Sequence, residues 1–105
     1  MANNQNKKMN ELEKLIHQWA TDKGIFANSI PIKQALKTQE EVTELLNAIV
    51  DKDQYEVKDA IGDIVVTVII QAHMHGFSLQ DCLQSAYDVI SKRKGKMING
   101  QFVKD

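Results

Sequence analysis

The chain has 105 residues, of which 43% are apolar and 26% charged, and its formal net charge is −1. That length suggests a single domain, and the near-neutral balance gives no global signal for binding nucleic acid. The one cysteine, Cys82, excludes an internal disulfide and a cysteine-based zinc site, and it suits a reducing, cytoplasmic setting.

The opening segment, MANNQNKKMNELEK, has no apolar stretch, so no secretory signal is expected there. Residues 1–9 read as a flexible lead-in. The first predicted helix covers 10–23, with Asn10 and Glu13 spaced as a capping box and Leu12, Leu15, Ile16 and Trp19 on one apolar face. Gly24 is a natural stop, and residues 25–30 read as a loop. The second helix covers 31–51. Pro31 suits its first turn, where a backbone N–H is not needed. Val42, Leu45, Leu46 and Ile49 form an apolar stripe. Glu40, Glu41 and Glu44, with Lys37, fall on a separate arc roughly opposite.

The third helix is assigned to 54–74 against a local conflict. Residues 64–70, IVVTVII, are β-branched throughout and would suit a buried strand. Glu56, Asp59 and Asp63, however, share a face only in a helix, and no hairpin signal flanks the run. The run is also far too short to span a bilayer, so no membrane partner is expected. The fourth helix covers 79–94, with Ser78 as N-cap, Phe77 stapled onto Cys82, and Gly95 as its end. Residues 96–105 carry Asn99-Gly100, a strong turn signal, and read as a short hairpin or extended arm.

Charge is unevenly spread. Residues 40–63 hold eight acids and two lysines, whereas residues 92–105 hold five bases and one acid. Two acidic helices packed antiparallel would offer a cage of oxygen ligands, the donor type preferred by Mg²⁺, with Mn²⁺ as a possible substitute. The same acids would equally serve as a solvated helix face. His17, His73 and His75 lack ligand spacing. Among other candidate contacts, Lys37 would reach a phosphate or neutralise Glu40 and Glu41. Gln34 would bond a base or ribose or remain solvated. Trp19 would line a base pocket or pack in the core. Arg93, the only arginine, and Lys96 would hold phosphates or simply decorate the end of a helix.

Several blocks together carry a resemblance: Trp19-Ala20; Lys23-Gly24-Ile25; Gln34-Ala35-Leu36-Lys37 with Glu40-Glu41-Val42 and Glu44-Leu45; Ala60-Ile61-Gly62-Asp63-Ile64-Val65-Val66; and the ending Arg93-Lys94-Gly95-Lys96-Met97 through Asn99-Gly100 to Phe102-Val103-Lys104. This order and spacing resembles the MazG-like nucleoside triphosphate pyrophosphohydrolases over nearly the whole chain. The resemblance implies one all-α domain, a four-helix bundle completed by oligomerisation into a homodimer or homotetramer. It also implies Mg²⁺-dependent cleavage of a nucleoside triphosphate to a monophosphate and pyrophosphate. Carried over, Glu41 and Glu44 are metal ligands, and Glu40 is a further ligand or the base that activates water. The second half of the motif, E-x-x-D, departs from the family. Asp63 aligns with the family Asp, but the family Glu falls on Ala60. Asp59, one residue earlier, is taken as the substitute ligand. The frame Glu56-x-x-Asp59 is the alternative. The departure at Ala60 also motivates a non-enzymatic reading, a helical interaction module with a degenerate metal site.

Overall fold

The computed structural model describes residues 6–105. In chain order these form α1 (Met9–Asp22), α2 (Ile25–Asn28), α3 (Pro31–Val50), α4 (Gln54–Met74), α5 (Leu79–Ile90), β1 (Gly95–Ile98) and β2 (Gln101–Lys104). Of the lead-in expected at 1–9, residues 1–5 lie outside the described residues, and Met9 already opens α1.

The helix ends are written in local chemistry. At the end of α3, Lys52 N–H donates to the Ile49 carbonyl and Asp53 N–H to that of Ala48, the paired bonds of a Schellman motif. Lys52 takes the left-handed position of that motif, at φ 56°, where glycine is the usual occupant. Gly76 closes α4 in the same way, with Gly76 N–H on the His73 carbonyl and Phe77 N–H on that of Ala72. Asp53 and Ser78 cap the starts of α4 and α5 through Glu56 N–H and Asp81 N–H.

Three sequence expectations are corrected. Asn10 does not cap α1. Lys8 is the N-cap, and it makes no side-chain cap bond. Glu13 serves a long-range contact instead: its buried carboxylate accepts the Leu79 N–H at 2.6 Å and ties α1 to the start of α5. Residues 25–30 are not all loop, because Asn28 N–H and Ser29 N–H bond back to Gly24 and Ile25 and close one helical turn. The last helix ends at Ile90, not at 94. Lys92 and Arg93 N–H groups bond to Val89 and Ile90 as the helix tapers, and Asp105 N–H bonds Lys94, drawing that residue into the hairpin. The hairpin itself follows its turn signal. Asn99 and Gly100 both have positive φ, 51° and 80°, as a two-residue type I′ turn requires.

α3 and α4 form an antiparallel helical hairpin, and α1 lies against α4. α5 leaves α4 at 98° and does not run alongside it. The face of α3 that meets α4 is Gln34, Thr38, Glu41, Leu45 and Ala48, at spacings of three and four. The stripe of Ile32, Leu36, Val42, Leu46 and Ile49 is exposed. Among the described residues, the buried apolar ones are Ala20, Ala48, Ala60, Ile69, Ile70 and Ala72, mostly alanines. No single helix among the described residues is long and apolar enough to cross a membrane.

Candidate active site

The helical hairpin brings its two acidic helices together at their facing surfaces. Glu41 of α3 is buried, whereas Glu40 and Glu44 are exposed. A residue's neighbours at i±3 and i±4 set its helical face, so Glu41 shares the α4-facing row with Thr38 and Leu45. On α4 the corresponding row is Ala60, Asp63, Thr67 and Ile70. Its contact with α3 is fixed by hydrogen bonds. Thr38 Oγ donates to Thr67 Oγ at 2.8 Å, Thr67 Oγ donates to the Ile64 carbonyl at 2.7 Å, and Gln34 Nε2 donates to the Thr67 carbonyl at 3.1 Å.

A cavity of about 240 Å³ opens between α1, α3 and α4. Its walls include Trp19, Gln34, Lys37, Glu41, Asp63 and Thr67. Sequence reasoning singled out all of these except Thr67. The signal for Thr67 was present, since a hydroxyl interrupting an apolar helical run needs a partner when buried. Trp19 is a wall rather than core, at 46% exposure. Lys37 Nζ lies 3.5 Å from Glu41 and 3.8 Å from Glu40, so both of its proposed roles remain compatible with its position at the cavity.

The remaining acids divide along the hairpin. Asp63 also lines a second cavity with Asp59, Tyr55, Lys58, Gly62 and Val66. Glu44 lies nearer the interhelical turn and shares a cavity with Glu56, Asp51 and Asp53. Ala60 is buried, seven residues before Thr67 and therefore on the face toward α3, while Asp59 is rotated out to the exposed side. Arg93 and Lys96 are exposed beyond the end of α5 and do not line the Trp19 cavity. Among the described residues, no three His, Cys, Asp or Glu side chains are gathered so as to hold a metal ion.

Electrostatics single out Asp63. Burial, then the charges of Asp59 and Glu41, push its pKa above the ordinary 3.8, and Lys37 opposes them. A folded-state pKa raised above the unfolded one gives stability that is fully present below the unfolded value and is lost as pH rises through the folded value. In chelator-containing buffer, Asp63→Asn is therefore expected to melt at a higher temperature than the parent at pH 7. The difference should close as pH falls toward 4. Melting curves across that range check this, and equal melting temperatures at pH 7 would refute the charge crowding.

Residues 32–98, roughly two thirds of the chain, match the family model of the MazG nucleotide pyrophosphohydrolase domain. A stretch of 64 residues is 38% identical to an "Uncharacterized 18.2 kDa protein in rep-hol intergenic region" of Haemophilus phage HP1 (strain HP1c1). That match covers 61% of this chain but only 39% of the phage protein. No solved structure matches the chain.

Proposed function

The chain belongs to the MazG nucleotide pyrophosphohydrolase domain family, and from that premise we propose that it hydrolyses a nucleoside triphosphate between its α- and β-phosphates in a Mg²⁺-dependent reaction. The observation that carries this reading is the cavity in which Glu41 and Asp63, from two helices, stand beside Lys37, Gln34 and Trp19. In balance, the oxygen of water bonds to the α-phosphorus, the bond from that phosphorus to the bridging oxygen breaks, and pyrophosphate leaves with the electron pair.

The donor set suits a hard divalent cation. It is all carboxylate oxygen, and burial, followed by the charges of Asp59 and Glu41, raises the Asp63 pKa against the one opposing lysine, Lys37. In this reading Glu41 and Asp63 would hold the metal from the cavity they share, with Asp59 and Glu44, which line neighbouring cavities, as its further ligands. When bound, it would supply Lewis-acid polarisation of the phosphates and charge neutralisation. Lys37 steadies a phosphate oxygen. Glu40, exposed and joined to Glu41 through Lys37, takes the proton of the attacking water. Trp19 and Gln34 line the part of the cavity that would receive the nucleoside. The exposed apolar stripe of α3 supports assembly into a homodimer or homotetramer, which would bring Arg93 and Lys96 of a second copy within reach of the phosphates.

The deciding experiment incubates the protein with a panel of ribo- and deoxynucleoside triphosphates in Mg²⁺, Mn²⁺ or EDTA and separates the products. Monophosphate and pyrophosphate formed only with metal are expected. Orthophosphate as the sole phosphate product would overturn the bond assignment. No turnover by any nucleotide would favour the interaction module with a degenerate site.

A further inference from the structure

We propose that Gln34 selects nucleotides whose base carries an exocyclic amino group at its pairing edge, as cytosine and adenine do, over their keto counterparts. The inference rests on the reading of the Trp19 cavity as the nucleotide site and extends it to the base.

Gln34 is 6% exposed, and its carboxamide orientation is fixed by its partner. A backbone carbonyl only accepts, so the atom bonded to the Thr67 oxygen must be the amide nitrogen. The amide oxygen is the atom turned away from that bond. It receives no hydrogen bond from the described residues, and it is not sealed from solvent. A side chain that is nine-tenths buried thus presents an open acceptor at a cavity it lines. Thr67 cannot readily let it turn, because its own hydroxyl is occupied by Thr38 and Ile64.

The rest of the cavity agrees with this assignment. Trp19, Ile25, Val66 and Ile70 supply apolar and aromatic surface for a base, with Trp19 available for stacking. In the antiparallel hairpin, Gln34 is level with Thr67; Glu41 lies about 10 Å farther along α3 and Asp63 about 6 Å farther along α4, both toward the same end of the cavity. The cavity therefore has a base end and a phosphate end, separated by a nucleoside's reach. An acceptor at the base end pairs with an amino N–H and is left opposing a carbonyl oxygen when the base is uracil or hypoxanthine. Sites built around one buried hydrogen bond discriminate strongly against analogues that leave it unmade.

The test compares dCTP with dUTP and dATP with dITP as substrates, and in parallel dCMP with dUMP by quenching of Trp19, the only tryptophan in the chain. A preference of about tenfold or more for the amino partner is expected in kcat/KM and in half-quenching concentration, the effect of one hydrogen bond. Gln34→Leu, similar in size, should bring both ratios close to one. Equal use of amino and keto bases by the unmodified protein, or a preference for keto bases, would overturn the proposal whatever the variant does. So would absence of quenching by either monophosphate. Selective quenching without turnover would uphold the base contact while removing the hydrolase reading, so the two failures are distinguishable.

Discussion

Glu41→Gln is expected to lower kcat/KM for pyrophosphate release by more than about a hundredfold while leaving helical content and melting behaviour intact. Substitutions one shell removed from a metal typically cost about 10- to 100-fold in affinity or activity, and a direct ligand should cost more. Glu41 is the acid of its cluster that is buried against α4, across from Asp63, so its carboxylate is the one least able to act merely as a solvated surface charge. Glutamine keeps its shape and two polar atoms, so the hairpin is not asked to close over a void. Removing its charge also relieves Asp63, which argues against loss of folding as the cause of any loss of activity. Lys37 loses one of its two carboxylate partners but retains Glu40 at 3.8 Å. Raising Mg²⁺ should recover part of the activity if the defect is in metal affinity. The assay is the product separation described above, repeated across a metal titration, with circular dichroism as the folding control. Unchanged turnover would remove Glu41 from the site. Glu44→Gln is the informative companion, because Glu44 lines a different cavity, with Glu56. A comparable loss there would show that the metal site extends along the hairpin toward the α3–α4 turn.

How much of this was legible before the fold was known differs from element to element. The hairpin of α3 and α4 was readable almost to the residue, including α4, whose β-branched run 64–70 favours a strand by local preference. The spacing of Glu56, Asp59 and Asp63 decided correctly because burial on a long helix outweighs propensity. The turn at Asn99-Gly100 was readable because only residues tolerant of positive φ fit there. Glu13 was misread because its partner, the Leu79 N–H, lies 66 residues away, and no local pattern carries that information. The end of α5 was misplaced because Gly95 stops no helix but opens a strand paired with Lys104. Within the site, helical periodicity assigned the acids to one arc. It did not say which of Glu40, Glu41 and Glu44 would be buried, since that depends on the position of α4. Trp19 shows the same limit: an apolar-face tryptophan suggests core until the neighbouring helices leave it as the wall of a cavity.

The second large effect concerns assembly. A tenfold dilution is expected to lower the melting temperature by roughly 3 °C, because dissociation on unfolding of a dimer contributes about 1.4 kcal/mol per decade of concentration against the unfolding entropy of two chains of this length. A single protomer has little to hold it together. Its Cα radius of gyration is 16.2 Å, against about 13 Å for a compact domain near this length. Among the described residues, no large side chain is fully buried. The hairpin strands are exposed throughout, although two strands alone are marginal in water. The strongest test uses Leu46, which is 59% exposed on the apolar stripe of α3. In a self-sufficient monomer, an exposed position of this kind tolerates most changes to within about 0.5 kcal/mol. Leu46→Asp should then melt like the parent. If the stripe is covered by a second copy, the same change places an unpaired charge in an apolar interface, at a cost of several kcal/mol. Assembly and cooperative melting should then be lost together. Light scattering coupled to size exclusion, with melts of parent and variant over two decades of concentration, separates these cases. A monomeric parent whose melting temperature ignores dilution would mean that the apolar stripe is not an interface between copies of this chain.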